Sequence, residues 1–291
     1  MERFLKLGER HLKVISREIY GVEQPCRAYL LRPFTDISDS NAIYLIDGEY
    51  VLYLSPQVFP QSVQIEASAI KLMQQSLEAC GHVLPTLSAE GVLDGRSFMV
   101  VPRMHPLNSK RVWKRIDSFR IRGAVLAWLR DLASLAAPRS QDTVPSFSSR
   151  LTALAETPGL SVDIASAARS GLAMLGSGAL TVHHIPMHGD LWFGNLLRRD
   201  DGSLCVIDWG GSQLRGYGIY DLIRLGESLQ IPSRIMRREL AIHETALGGG
   251  QASQIHLLAA LGHYAANLGQ FPRERFVAMA GGVWRLFSSL H

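Results

Sequence analysis

The spacing of hydrophobic residues changes near residue 104, and the two sides of that point predict different secondary structure. On the N-terminal side, short apolar runs bounded by turn residues predict strands. On the C-terminal side, longer segments repeat their apolar positions with helical periodicity. The predicted strands cover 28–33, 40–46, 49–54, 81–92 and 97–101, with helices over 3–18 and 61–78. The predicted C-terminal helices cover 110–122, 123–135, 147–155, 160–175, 220–225, 234–248, 252–268 and 273–290.

Asp-Gly pairs mark the places where neighbouring strands reverse direction. Asp47-Gly48 separates the runs 40–46 and 49–54, and Asp94-Gly95 precedes the run 97–101. The commonest two-residue hairpin turn needs a positive φ at both central residues, which Asp and Gly tolerate. These turns predict antiparallel pairing in the N-terminal region.

The candidate chemistry lies in residues 185–221. Asp190 and Asn195 are separated by four residues, which is the D-x-x-x-x-N spacing of a phosphoryl-transfer catalytic loop. Asp190 is placed to accept a proton from a hydroxyl nucleophile.

A second hairpin is predicted directly after Asn195. The apolar runs 196–197 and 204–207 flank Asp201-Gly202, so the hairpin would return Asn195 and Asp208 to the same end of its strands. Amide and carboxylate oxygens are ligands that Mg²⁺ accepts. The pattern therefore predicts a magnesium site at that end.

These residues carry a family resemblance. The segments His188-Gly-Asp-Leu-Trp-Phe-Gly-Asn195, Val206-Ile-Asp-Trp209 and Tyr220-Asp-Leu222 resemble the aminoglycoside phosphotransferase, choline kinase and fructosamine kinase superfamily. The resemblance implies an α+β, bilobal protein-kinase-like fold. A small antiparallel-sheet N-lobe, of five strands, would cover 1–104, and a mainly helical C-lobe would cover 105–291.

The resemblance also implies the reaction. A kinase or phosphotransferase of this kind moves the γ-phosphate of ATP or GTP to a hydroxyl of a small molecule, with Asp190 as the base and Asn195 and Asp208 holding Mg²⁺. His188 resembles a structural histidine that holds the loop. Asp221 resembles a structural aspartate.

On the nucleotide side, the resemblance assigns Ser40 to the phosphate flap, Glu66 to the helix carboxylate, and Val101 and Arg103 to the hinge that meets the base. The lysine expected on the third strand is replaced by Tyr53. No lysine occurs between Lys13 and Lys71.

Two alternatives follow from the missing lysine. Arg32 on the preceding strand is a candidate phosphate cation, and otherwise it is an exposed charge at a strand end. Glu66 is either the partner carboxylate or a charge on a solvated helix face. If nothing replaces the lysine, the chain is a pseudokinase that acts as a binding or scaffold module.

Charge is unevenly divided. Residues 1–104 carry 10 Lys and Arg against 12 Asp and Glu, whereas residues 105–291 carry 20 against 14. A C-terminal net charge of +6 argues against a polycationic acceptor and favours a neutral or anionic one, sugar-like or lipid-linked.

Residues 110–122 hold six basic residues against Asp117, with Trp113 and Phe119 between them. This segment is either a patch for an anionic partner or a solvated helix face. No recognised nucleic-acid module surrounds it, so a nucleic-acid partner is not expected.

Composition limits the cellular context. The chain is 47% hydrophobic, yet it has no apolar run near the ~18 residues of a transmembrane helix, and its first residues lack a signal-peptide core. Three scattered cysteines predict reduced, buried thiols and a cytoplasmic protein.

Overall fold

The computed structural model describes residues 7–32, 41–135, 142–267 and 272–291. The elements in chain order are α1 (Glu9–Tyr20), β1 (Ala28–Arg32), β2 (Ala42–Ile46), β3 (Tyr50–Leu54), α2 (Ser62–Ser76), β4 (Ala89–Leu93), β5 (Arg96–Pro102), β6 (His105–Pro106), α3 (Arg111–Ser134), α4 (Thr143–Ala155), α5 (Val162–Gly176), β7 (Ile185–Met187), β8 (Leu196–Arg198), β9 (Leu204–Val206), β10 (Gln213–Gly216), α6 (Ile219–Ser228), α7 (Ser233–Leu247), α8 (Gly250–Ala265) and α9 (Arg273–Leu290).

The chain divides into two compact units. The first contains residues up to Leu107 together with Asn195–Gly211, and the second contains Asn108–Gly194 and Ser212–His291. The β8–β9 hairpin therefore belongs to the first unit, although it follows much of the second in sequence. The predicted division of the chain at 104–106 stays a prediction.

The first unit is built on a five-stranded antiparallel sheet in the order β1-β2-β3-β5-β4. Its turns follow the predicted chemistry, since Asp47 and Gly48 have φ of 50° and 80°, and Asp94 and Gly95 have 48° and 77°. Apolar residues on one face, including Ile46 and Leu52, form a buried core with Ile15 of α1. The small antiparallel sheet of the predicted fold is confirmed.

The second unit is mostly helical. In it, α4 packs between α5 and α8, and α3 packs against α7. The strands β7 and β10 form a short antiparallel pair at the entrance to α6. A small antiparallel sheet and a helical remainder together confirm the predicted α+β, kinase-like fold class.

Three local predictions are corrected. Residues 78–83 form a 3-10 helix, so only residues 89–92 of the predicted strand 81–92 lie in a strand, β4. The segments 110–122 and 123–135 form one helix, α3, because Gly123 does not interrupt it. The first helix ends at Tyr20 rather than at residue 18 and begins at Glu9, and residues 1–6 lie outside the described part.

None of the three cysteines, all of which lie in the described residues, forms a disulfide. Cys80 and Cys205 are buried as predicted, whereas Cys26 is only partly buried. Within the described ranges, no helix has both the length and the apolar character needed to cross a bilayer.

Candidate active site

In the second unit, the sharp turn after β7 sets the loop His188–Asp190. Gly189 has a φ of +91°, a left-handed conformation that a side chain would strain. The backbone N–H of Asp190 donates to Nδ1 of the fully buried His188 across 3.2 Å. His188 thus holds the loop, as the resemblance implied, and the side chain of Asp190 is exposed.

Asp221, in the first turn of α6, holds the loop His188–Asp190 in place. Its carboxylate accepts hydrogen bonds from the backbone N–H groups of His188 at 2.6 Å and of Gly189 at 3.0 Å. Burial and, to a smaller extent, the charge of Asp190 raise the pKa of Asp221 to about 7, although the two N–H donors oppose that rise. Asp221 is therefore a structural residue of the loop.

Two tyrosines that the sequence analysis missed complete this cluster. The hydroxyl of Tyr264 on α8 donates to the carbonyl of Gly189, and its ring lies 5.2 Å from that of Tyr220. Burial, the first cause in each case, raises the pKa of both phenols, so both are neutral donors at pH 7. Tyr264 is 75 residues from Gly189, and no local motif marks it.

In the first unit, the β8–β9 hairpin has the predicted register. Leu196 pairs with Val206, and the N–H of Ile207 donates to the carbonyl of Asn195 at 3.0 Å. Asn195 and Asp208 therefore leave the hairpin at the same end, as predicted. Asp208 is exposed and has a φ of +68°, a conformation that Asp adopts more readily than most residues.

Glu66 on α2 is hydrogen-bonded to the turn at Asp208 and Trp209. It is only 9% exposed, and its carboxylate accepts hydrogen bonds from the backbone N–H groups of Asp208 and Trp209. Burial and then the charge of Asp208 raise the pKa of Glu66 to about 7, against those two bonds. Glu66 is thus not a solvated helix charge, and its partners are backbone amides.

Tyr53 stands beside Glu66 on the middle strand β3. Burial raises its pKa above the ordinary value of 10, the carboxylates of Glu66 and Asp208 add to the rise, and Arg32 opposes it. Tyr53 is therefore a neutral phenol within electrostatic reach of all three charges. Arg32 is the exposed last residue of β1, so its charge is both at a strand end and close to this cluster.

The remaining nucleotide candidates are placed as follows. Val101 lies in β5 with its side chain in the core, at 1% exposure. The backbone N–H of Arg103 donates to the carbonyl of Glu49 at 2.7 Å, so that N–H is not available to a purine ring. The Arg103 guanidinium donates to the carbonyl of Gly48 at 3.2 Å. Ser40 lies outside the described residues.

The donor set around Asp208 suits a hard cation. An amide oxygen from Asn195 and a carboxylate from Asp208 are oxygen ligands, and Mg²⁺ commonly takes one or two protein carboxylates and completes its shell with waters and phosphates. In the described part of the chain, no three His, Cys, Asp or Glu side chains gather as a preformed metal site.

Comparison with known proteins supplies the family. The model of the phosphotransferase enzyme family, APH, matches residues 31–253. No curated protein sequence matches the chain significantly.

Several solved structures share the fold. Wild-type aminoglycoside 2'-phosphotransferase-IIIa, as its GDP complex, is 14% identical, with a TM-score of 0.56 over 97% of this chain and 99% of that chain. Choline kinase LicA from Streptococcus pneumoniae is 15% identical, with a TM-score of 0.54 over 94% and 98%. LicA in complex with AMP has a TM-score of 0.53 at 13% identity, over 98% and 100%.

The family match covers well over half of the chain, and the solved neighbours carry the same fold from end to end. These findings do not support the alternative of a pseudokinase module. The chain belongs to the phosphotransferase enzyme family, APH, and it is a phosphotransferase.

Proposed function

We propose that this enzyme transfers the γ-phosphoryl group of ATP or GTP to a hydroxyl of a small molecule in a magnesium-dependent reaction. The observation that carries the proposal is the set Asp190, Asn195 and Asp208 on loops fixed by buried carboxylates. The neighbours solved with GDP and AMP support a nucleotide as the donor.

Asp190 is the base. Its exposed carboxylate orients the acceptor hydroxyl and takes its proton as the new O–P bond forms. The bond between the γ-phosphorus and the bridging oxygen breaks, and the nucleoside diphosphate leaves with that electron pair. A positioned base contributes about 10²–10⁴-fold to such a step.

Asn195 and Asp208 hold Mg²⁺ in this proposal. A bound magnesium ion would neutralise charge on the phosphates of the nucleotide. Glu66 keeps Asp208 in its left-handed conformation through the backbone bonds described above, so the carboxylate of Asp208 would be held ready to bind the cation.

The nucleotide contacts follow from the first unit. Arg32 supplies the positive charge that a third-strand lysine would give, and Ser40 belongs to the flap over the phosphates. Val101 and Arg103 form the hinge against the base through backbone groups other than the Arg103 N–H, which Glu49 already accepts. The electrostatic effect of Arg32 on Tyr53, the residue at the expected lysine position, supports its role.

The test is nucleotide binding by calorimetry, with and without Mg²⁺, followed by transfer to a panel of hydroxyl acceptors. We expect Arg32→Ala and Asp208→Ala to weaken Mg-nucleotide binding by tenfold or more, which is the scale of a lost charged hydrogen bond. Arg27→Ala, an exposed charge just before β1, and Asp201→Ala, in the hairpin turn, are matched controls. Asp190→Ala should retain binding and lose transfer by about 10²–10⁴-fold.

Three results would count against the proposal. Undiminished transfer in Asp190→Ala would remove its role as base. Wild-type protein that binds no nucleotide at millimolar concentration would return the chain to the pseudokinase alternative. Nucleotide binding that is insensitive to Arg32 would leave the family and the fold intact but assign the phosphate cation elsewhere.

A further inference from the structure

A basic pocket lies in the second unit, between the start of α3 and the end of α6. Its cavity of about 160 Å³ is lined by Lys114, Arg115, Ser118, Leu229 and Gln230. This is far more space than one water molecule needs. We call it the α3–α6 pocket.

The lining of the α3–α6 pocket is positively charged. Two of its five residues are cations and none is an anion. The carboxylates near it in sequence have other partners, since Asp117 accepts the N–H of Asn108 at 2.8 Å and Glu227 pairs with Arg224 at 3.2 Å. The pocket is thus a place where positive charge is not neutralised by the residues that line it.

The pocket also contains an unused hydrogen-bond donor. Ser118 is 7% exposed, and its buried hydroxyl has no hydrogen-bond partner among the described residues. A serine inside a helix commonly bonds to the carbonyl four residues earlier, but Ser118 does not. Gln230, across the pocket, has a φ of +53°, a rare conformation for a residue with a side chain. Buried donors of this kind need an acceptor, and an anion supplies acceptor oxygens.

Residues at the α3–α6 pocket contact the segment that follows Asp190. The Lys114 ammonium lies 4.8 Å from the centre of the Phe193 ring, and Phe193 is three residues after Asp190. The N–H of Phe193 donates to Oγ of Ser228 at 2.8 Å, two residues before Gln230. Both walls of the pocket therefore contact the chain that follows the proposed base.

We infer that the α3–α6 pocket binds a phosphate-type anionic group carried by the acceptor, so that the enzyme phosphorylates a hydroxyl of an already anionic molecule. This inference rests on the proposed function and adds the class of acceptor. Lys114 and Arg115 contribute charge, and Ser118 and Gln230 contribute donors. Planar guanidinium and ammonium groups together are a common way to hold such a group.

The anionic group has two sources with the same chemistry. It belongs either to a soluble phosphorylated polyol or to a phospholipid headgroup. Val112, Trp113 and Phe119 are exposed beside the pocket on α3, at 67%, 54% and 70%, and would meet the apolar part of a lipid. The acceptor panel below separates the two sources.

The first experiment tests the pocket without catalysis. Inorganic phosphate is titrated into the full-length protein by calorimetry, with and without saturating ADP and Mg²⁺. We expect saturable binding that persists with ADP and weakens about tenfold in Lys114→Met and in Arg115→Gln, the loss of one charged contact each. Arg120→Gln, which removes an exposed charge from the same helix outside the pocket, should bind as wild type.

Several results of this titration would overturn the inference. They are the absence of saturable binding, equal weakening in Arg120→Gln, and competition by ADP, which would place the cations at the nucleotide. Circular dichroism and urea unfolding show whether each variant is folded, and Ser118→Ala gives a second variant without a change in charge.

The second experiment measures transfer to matched acceptors: glucose against glucose 6-phosphate, and neutral against anionic phospholipid vesicles. A lower KM for the phosphorylated member of either pair, lost in Lys114→Met, supports the inference and identifies the source. Transfer to neutral and anionic members with equal KM overturns it while the proposed function stands. No transfer to any acceptor and no Mg-nucleotide binding, with phosphate binding intact, refutes the proposed function instead, and with it the role of the pocket in holding an acceptor.

Discussion

Each compact unit fixes a functional loop with a buried carboxylate that accepts bonds from two consecutive backbone N–H groups. In the second unit, Asp221 holds His188 and Gly189, and in the first, Glu66 holds Asp208 and Trp209. The surroundings differ. Asp221 is fully buried, whereas Glu66 is 9% exposed and stands beside Tyr53.

This difference bears on the missing lysine. A helix carboxylate in a kinase-like first unit is expected to pair with a lysine on the third strand. Here the backbone amides of residues 208–209 provide the positive ends of the interaction, so Glu66 is satisfied without a cation. The absence of lysine at Tyr53 therefore does not leave a buried carboxylate without partners.

Among substitutions that test the comparison of the two carboxylates, we expect the largest loss of stability at Asp221. Asp221→Ala leaves the N–H groups of His188 and Gly189 buried without their acceptor, and each such loss costs about 1–3 kcal/mol. We expect the free energy of unfolding to fall by about 3 kcal/mol or more, measured by urea denaturation at pH 7. A change below about 1 kcal/mol would show that the loop does not depend on this carboxylate.

The pH dependence of Asp221→Asn is the control for that measurement. The pKa of Asp221 rises from 3.8 unfolded to about 7 folded, so the folded state binds more protons between these values. The stability from this group is therefore fully present below about pH 4 and lost as the pH rises through about 7. The advantage of wild type over Asp221→Asn should shrink over that range, by a magnitude on the order of 4 kcal/mol. An advantage that grows with pH would mean that the two N–H donors keep Asp221 ionised.

The sequence predicts the bounds of most strands of the sheet well, but it does not predict that 110–122 and 123–135 form one continuous helix. The strands β1, β2, β3 and β5 lie within one or two residues of their predicted bounds because Asp-Gly turns and alternating apolar positions are local signals. The single helix α3 was divided at Gly123 because a glycine in a helical pattern is an ambiguous signal.

At the site, the sequence located the chemical groups but not what holds them. The spacing of Asp190, Asn195 and Asp208 is local, and the hairpin register followed from it. The contact of Tyr264 with Gly189 joins segments 75 residues apart, and no local pattern encodes it. The partners of Glu66 are backbone amides, which every sequence has, so residue types could not reveal them.

A smaller effect is expected at Glu66. Glu66→Ala removes the acceptor for the N–H groups of Asp208 and Trp209, at a position that is buried but, unlike that of Asp221, not completely shielded from water. We expect a loss of about 1–2 kcal/mol in unfolding free energy, toward the lower end for lost acceptors. We also expect a higher Mg²⁺ concentration for half-maximal activity, because Asp208 loses its fixed conformation.

Glu66→Gln is the conservative control, since its amide oxygen still accepts one bond. It should recover most of the Mg²⁺ dependence of wild type. An unchanged Mg²⁺ requirement in Glu66→Ala would show that the carboxylate stabilises the fold without positioning Asp208.

We expect the smallest effect, on nucleotide affinity, at Tyr53. This substitution tests most directly whether the residue in the position of the missing lysine contributes to binding. The raised pKa of Tyr53 keeps its phenol neutral at pH 7, so it cannot supply the charge of the missing lysine. Tyr53→Phe should change nucleotide affinity by no more than about twofold, the scale of a substitution that loses no specific contact. Tyr50→Phe, on the same strand, is the matched control. If Tyr53→Phe weakened binding as much as Arg32→Ala, the phenol hydroxyl would contribute to phosphate binding as well as Arg32.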